Sequence, residues 1–452
     1  MMNQKSPIDQ KILSRNSSFV GGEFTVAGVK ASDLVKDFGT PAFVIDEADF
    51  DARAKTFRLA LENSFGQRAG ACYYAAKAFI SIEIAKWVER AGLSLDVCTG
   101  GELEVALAAK FPPHRIEFHG NNKSVAEITR AIEVGVEKIV ADSEIELERI
   151  NAIASAKGVT QKVLIRVTPG VEAHTHQFIA TAHEDVKFGF SIASGAALRA
   201  VKIGVEASNL EVVGLHFHIG SQIMGIEGFD LAIERTTAFL KRVKDELGQE
   251  LNEMVIGGGF AIAYVEGDSS SDAEQVLSHL FDAVKRSAEK SAISMPRVSI
   301  EPGRAIIGPT TSTLYQVGTV KRVELDDGSR NYVAVDGGMS DNIRTSLYDA
   351  EYSAALANRI SSAPSISSRV VGKHCESGDI IVRDCELPSD VTPGDLLVTP
   401  ATGAYGRSMA SNYNHLPRPP VIAVRDGKAR VILRRETHAD LLSLEVSQEG
   451  QR

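Results

Sequence analysis

Between Ala71 and Glu301 the chain alternates short apolar runs with amphipathic stretches, a pattern few folds accept. The apolar runs are ACYYAA (71–76), SLDVC (94–98), RIEFH (115–119), KIVAD (138–142), VLIRVT (163–168), VVGLHFH (212–218), EMVIG (253–257) and RVSIE (297–301). Each has strand length and is rich in Val, Ile or aromatic residues, whereas SIEIAKWVERAG and GELEVALAAK between them carry helical spacing. Strands alternating with helices form parallel sheets, because each helix returns the chain to the end where the last strand began. Eight such units over about 230 residues predict an α/β fold, a (β/α)8 barrel of the TIM type. Lys77, Asp96, His119, Arg166, His218, the glycines at 257–259 and Glu301 fall at or just past the ends of these runs. Barrels of this kind build their sites there, whereas a doubly wound sheet gathers its ligand contacts at one switch point.

From about Pro309 the texture changes. STLYQVGTV, RNYVAVDGG, DIIVRD, DLLVTP and PVIAVRDGKARVILRRE are Val/Ile-rich and bounded by Gly, Asp or Pro, which predicts an all-β second domain. The chain start is polar and Ser-rich to about Ser18 and is expected to be mobile. A helix is expected over Ala31–Phe38, and the strand-like phrase GTPAFVIDE follows it. That strand has no place in an eight-stranded barrel and is expected to join the β domain, making it discontinuous. The expected division is therefore 1–47 (tail and strand joining the β domain), 48–308 (barrel) and 309–452 (β domain).

Composition narrows the partners. Hydrophobic residues make up 44% and charged residues 24%, the balance of a soluble globular protein with a large core. A net charge of −10 argues against a general nucleic-acid partner, although a local arginine cluster can still hold an anion. No apolar run is long enough for a membrane span, and the first residues lack the apolar core of a signal peptide. Cys72, Cys98, Cys375 and Cys385 show no C-x-x-C spacing, which fits free thiols and a cytoplasmic location.

Four phrases carry chemistry. In YYAAKAF, Lys77 follows a strand among small apolar neighbours, where burial would leave a nucleophilic amine able to form a Schiff base; a surface lysine has the same local sequence. In GLHFHIGSQ, His218 fits an imidazole packed on a flat ring or a satisfied core histidine, and Ser221 with the N–H groups after Gly220 fits a phosphate. In VIGGGFAI, Gly258 and Gly259 let backbone N–H groups approach an anion; a plain turn is the alternative, and the phrase is not the dinucleotide fingerprint. In EPGR, Glu301 ends the eighth run and Gly303 and Arg304 follow. The glycine run and EPGR occupy the loops after strands seven and eight, where barrels commonly bind phosphate. A carboxylate at Glu301 would also favour a protonated pyridine nitrogen.

With these residues in view, the chain resembles the fold-type III pyridoxal-phosphate-dependent decarboxylases, whose alanine-racemase-like barrel is paired with a β domain. The matching phrases are YAAKAF, LDVCTGGEL, FHGNNKS, THQFIAT, KFGF, GLHFHIGSQ, GGGF, EPGR, DGGMSDNIR, KHCESGDI and GAYGRSMASNYN, which run from about residue 73 to 414. The resemblance implies pyridoxal 5'-phosphate as cofactor. It implies that Lys77 holds that group covalently, His218 stacks on its ring and Glu301 pairs with the ring nitrogen. Ser221, Gly258, Gly259, Gly303 and Arg304 would serve the phosphate, with Tyr405 closing over it; Asp96 would orient Lys77 and Arg166 would lie near the ring. Cys375 resembles the family's proton donor, on a loop that reaches the neighbouring subunit's barrel, so a homodimer with shared sites is implied.

Within that family the phrases resemble the branch that acts on meso-diaminopimelate and leaves lysine. Its substrate carries a second amino-acid group, which Arg304, Arg344, Tyr348 and Tyr405 could grip by the carboxylate and Glu376 by the ammonium. A sister enzyme acting on ornithine, arginine or carboxynorspermidine, a racemase, and a non-catalytic cofactor carrier remain as alternatives. His174 and His176 form an H-x-H pair without a third ligand of suitable spacing, and no metal is expected. Asp336-Gly-Gly reads as a turn, and Trp87 as a core residue.

Overall fold

The computed structural model describes residues 6–171, 187–326 and 328–446; His174, His176 and the THQFIAT phrase lie outside them. The chain forms two compact units. One comprises Asp51–Ala261 with Ser269–Ala305; the other takes the described residues up to Phe50, the short segment Ile262–Asp268 and those from Ile306 onward.

The first unit is a closed barrel of eight parallel strands paired in chain order: Ala69–Ala75, Ser94–Val97, Ile116–Phe118, Lys138–Ala141, Gln161–Thr168, Leu210–His216, Glu253–Val255 and Arg297–Ile300. Closure comes from the last strand lying beside the first, with Val298 against Ala69 and Ile300 against Cys72. The strands are apolar on both faces because helices cover the outside and side chains fill the inside; all four residues of Lys138–Ala141 are buried. Trp87 and Phe118 are fully enclosed in this core.

The helices begin where the sequence supplies a cap. Ser81, Thr99, Ser124 and Ser143 each accept a hydrogen bond from the backbone N–H three residues on, and Glu127 completes a capping box with Ser124. Each cap contributes about 1 kcal/mol and fixes the turn that leaves the strand end. The loops that carry the candidate residues therefore hang from a rigid frame.

In the second unit the strand Ala42–Asp46 lies between two strands from the far end of the chain. It runs antiparallel to Thr311–Leu325 and parallel to Val421–Arg425, with Phe43 opposite Thr313 on one side and Val421 on the other. All five of its residues are buried, as a central strand requires. Gly328–Val335, Ser365–Val371 and Ile380–Pro388 extend the sheet one way, and Lys428–Leu433 closes the other edge. The segment Ile262–Asp268 is held here too: the Ser353 hydroxyl donates to the Tyr264 carbonyl at 3.0 Å, and the Tyr264 ring meets that of Tyr352 edge-on at 5.1 Å. Among the described residues, no helix is long and apolar enough to cross a membrane.

Candidate active site

In the barrel unit, Lys77 lies in a single helical turn, Ala76–Ala78, directly after the first strand and is half-buried. The second strand brings up Asp96, which is 1% exposed. Burial raises the Asp96 pKa to about 6, while His119 and Lys77 pull the other way. The Cys98 thiol reaches Asp96 at 3.8 Å, and the Cys98 N–H donates to Glu102 at 2.6 Å. Burial pushes Glu102 up to about 7, against that hydrogen bond.

Around His119 the barrel gathers a group of charges that the phrases above did not single out as a set. His119 Nε2 lies 2.9 Å from Glu117, 3.3 Å from Glu301 and 3.7 Å from Asp96. His216 Nε2 is 3.0 Å from the same Glu301 oxygen, and the two imidazoles meet edge-on with centroids 4.8 Å apart. Burial disfavours an imidazolium at His119, but Asp96 and Glu301, with the bond to Glu117, outweigh it and push the pKa up to about 10. Burial dominates instead at His216, whose pKa falls below the ordinary value. Glu301 would be raised by burial alone, yet the two histidines hold it well below the usual carboxylate range. His119, His216 and Glu301 each offer a donor atom within 4.8 Å of one another, a set a cation could share. At 2.9 Å, however, the Glu117 carboxylate and His119 Nε2 are at hydrogen-bond length, and one proton between them accounts for that contact.

The three glycine-bearing loops lie beside this group. The Gly258 N–H donates to His218 Nδ1 at 3.2 Å, which fixes His218 as the tautomer with its proton on Nε2. The protein packed round His218, together with Lys77, sets its pKa well below normal, although the ring keeps partial access to solvent. A Cβ at Gly258 would lie 2.3 Å from the Glu301 carbonyl oxygen, and one at Gly259 (φ +99°) 2.5 Å from that of Gly220. At Gly303 it would lie 2.9 Å from the Ala75 Cβ. Only glycine allows these backbones so close. Arg304 donates to the Ser221 hydroxyl at 2.8 Å and is buried. Arg166 lies 3.6 Å from Asp142 and over the Phe188 ring at 4.2 Å.

The remaining sequence candidates belong to the second unit. Arg344 opens the short helix Arg344–Tyr348 and is 6% exposed. Its guanidinium donates to the Tyr352 hydroxyl and lies over the rings of Tyr264 at 4.9 Å and Tyr352 at 5.6 Å. Burial opposes the charge, but Tyr264, Tyr352 and Tyr405 keep the Arg344 pKa above normal. Among the described residues, no acidic side chain forms an ion pair with Arg344. Tyr348 and Tyr405 are half-buried. Cys375 and Glu376 are exposed, on a loop pinned beneath them: the His374 N–H donates to Asp379 at 2.7 Å and the Cys375 N–H to Asn414 at 3.2 Å. The His374 ring is 2.8 Å from the Ser340 hydroxyl and stacks on Tyr413.

The residues present fit pyridoxal phosphate. The barrel offers a lysine amine, a buried carboxylate held ionised, a neutral flat imidazole and a cradle of glycine backbones backed by an arginine. Sequence reasoning missed His216, Glu102, Tyr264, Tyr352 and Asn414. The signal for His216 was present, because GLHFH puts two histidines at i and i+2, which share one face of a strand.

A family model described as "Pyridoxal-dependent decarboxylase, pyridoxal binding domain" matches residues 47–308. The chain is 52% identical over 430 residues to diaminopimelate decarboxylase of Mycobacterium tuberculosis, covering 94% of this chain and 95% of that one. It is 44% identical over 425 residues to that of Bacillus subtilis, again covering 94% and 95%. A crystal structure of diaminopimelate decarboxylase from M. jannaschii in complex with L-lysine superposes with a TM-score of 0.89 at 30% identity, over 96% of this chain and 99% of that one.

Proposed function

The chain belongs to the diaminopimelate decarboxylase family, and from that premise we propose how its residues share the removal of CO2 from meso-2,6-diaminopimelate to give L-lysine, the last step of lysine biosynthesis. Pyridoxal phosphate, when bound, supplies an electron sink for the pair released at the substrate α-carbon. Lys77 holds it through Nζ, and Asp96 orients that amine. His218, kept neutral, stacks on the ring. Glu301, kept ionised, favours a proton on the ring nitrogen. Ser221, Gly258, Gly259, Gly303 and Arg304 bind the phosphate with Tyr405, and Arg166 lends positive charge near the ring.

The C–COO bond of the substrate breaks and CO2 leaves. Cys375 Sγ then gives a proton to the α-carbon, and solvent restores the thiol. The pinned backbone around Cys375, with the side chain itself exposed, supports a donor presented outward. In our reading it serves the barrel of a second copy in a homodimer. The four cysteines, all free, agree with a cytoplasmic enzyme.

The observation that carries the substrate reading is Arg344, a buried guanidinium caged by tyrosines and without a carboxylate partner among the described residues. Such a cation is costly unless an anion arrives to meet it. The distal carboxylate of diaminopimelate is that anion, with Arg304 and Tyr348 assisting and Glu376 taking the distal ammonium. Ornithine has no carboxylate at that end. The test is CO2 and lysine release from meso-diaminopimelate, beside ornithine and arginine, with cofactor added. Product from diaminopimelate alone is expected; equal turnover of ornithine would overturn the role given to Arg344.

A further inference from the structure

We propose that His119 is a positioning residue, whose single Nε2 site among Glu117, Glu301 and Asp96 fixes Glu301 for the cofactor's ring nitrogen and Asp96 for Lys77. The inference rests on the cofactor roles proposed above. Its basis is the geometry of the cluster. Carboxylates from the second and third strands and from the end of the eighth converge within 3.7 Å of one imidazole nitrogen. All three are at most 3% exposed, so water does not screen their mutual repulsion. A cation at the centre is the simplest device that lets them stay together as anions.

The surroundings leave His119 as the group in that position. His216 contacts Glu301 from the sixth strand, but its burial favours the neutral ring. Arg166 is engaged with Asp142. Lys138, at the start of the fourth strand, pairs with Glu253 at 2.6 Å and Glu137 at 3.3 Å and also feels the charge of Glu117, but it forms no ion pair with Asp96 or Glu301 among the described residues. Lys77 is reserved for the cofactor. Without His119 no cation offsets the three carboxylates, and Asp96, already raised toward neutral pH by burial, is the first to take up a proton from solvent. A protonated Asp96 no longer directs Lys77, and Glu301 is left with His216 alone to orient it.

The experiment compares wild type with His119→Gln, which keeps an N–H donor but not the charge. Three quantities are read: the visible absorbance of the bound cofactor from pH 7.5 to 9, above the Asp96 pKa of about 6, cofactor affinity by titration of the stripped protein, and kcat and KM. The wild-type spectrum is expected to stay constant over that range, and the variant's to change with pH. Affinity is expected to fall about tenfold, and kcat about 10- to 100-fold with little change in KM, the size of effect expected when a reacting group is misplaced by about 1 Å. Glu117→Gln, which removes one partner of His119 without touching Asp96 or Glu301, should move all three readouts the same way by less. It serves in place of His119→Gln if that variant does not fold. Wild-type spectra, affinity and kcat in both variants would overturn the proposal, as would a stoichiometric metal ion in the purified protein. Inactivity of the wild type on diaminopimelate would instead overturn the functional reading.

Discussion

Replacing Arg344 by methionine should impair recognition of the substrate without weakening the fold. The guanidinium is 6% exposed and is met by one tyrosine hydroxyl and two aromatic rings rather than by an acid. Burying a charge without a counter-ion costs several kcal/mol. A hydrogen bond to a charged group returns about 1.5–3 kcal/mol, and each ring contact about 0.5–2 kcal/mol. These contributions nearly cancel, so an apolar side chain of similar length should leave the unfolding free energy within about 1 kcal/mol of wild type, or above it. The same change removes a charge-assisted hydrogen bond to the distal carboxylate, worth about 1.5–3 kcal/mol, which corresponds to a fall in kcat/KM of about 10- to 150-fold. Because that carboxylate is remote from the reacting bond, the loss should appear mainly as a raised KM. Urea unfolding and steady-state CO2 release measure the two effects on one preparation. Unchanged kcat/KM would refute the clamp. Destabilisation beyond about 3 kcal/mol would show instead that the guanidinium is a structural strut between Tyr264 and Tyr352.

Lys77→Ala should abolish the visible absorbance of the bound cofactor and nearly all turnover; wild-type activity in that variant would sink the assignment of the amine. Gly258→Ala puts a methyl 2.3 Å from the Glu301 carbonyl, where only backbone movement gives relief, and should cost about 1–3 kcal/mol in stability and loosen the cofactor. Thermal unfolding and cofactor titration read both effects, and a wild-type result in each would count against the cradle. Glu102, raised to about 7 in the fold, ionises later than in the unfolded chain, so stability is lost as pH rises from about 4.5 to 7 and the loss is complete above that. Glu102→Gln should therefore gain about 2–3 kcal/mol on wild type between pH 4.5 and 8; parallel stability curves would contradict the shift.

Much of the barrel was legible because two independent signals agreed. Val/Ile-rich runs mark the strands, and stretches such as SIEIAKWVERAG and GELEVALAAK carry helical spacing between them; the caps at Ser81, Thr99, Ser124 and Ser143 are seen only in the structure. The ends of runs were less legible. EMVIG reads as a strand to Gly257; the regular strand ends at Val255, and hydrogen bonds from Ile256 to Ser299 and from Glu301 to Gly257 carry the contact on until Gly257 turns the chain with φ +71°. The single candidate residues at strand ends were visible by type and position. Their partnerships were not: whether His119 meets Glu117 or Glu301 depends on which side chains the closed barrel turns inward, and local spacing does not encode that. Tyr264 was hidden for a different reason. It lies within the barrel portion of the sequence, yet the segment Ile262–Asp268 is packed with the other unit, and no change in composition marks it.

The central place of Ala42–Asp46 in its sheet has a consequence for how the molecule is made. Its two neighbours, Thr311–Leu325 and Val421–Arg425, lie more than 250 residues further along the chain. During synthesis the barrel residues up to Ala305 leave the ribosome first and can close on themselves, since each strand pairs mostly with the next. The apolar AFVID strand meanwhile waits, first for its antiparallel neighbour and then for its parallel one. For most of translation it is an unpaired edge of the kind that chaperones shield and that aggregates recruit. Truncation near the carboxyl end therefore exposes a strand near the amino end.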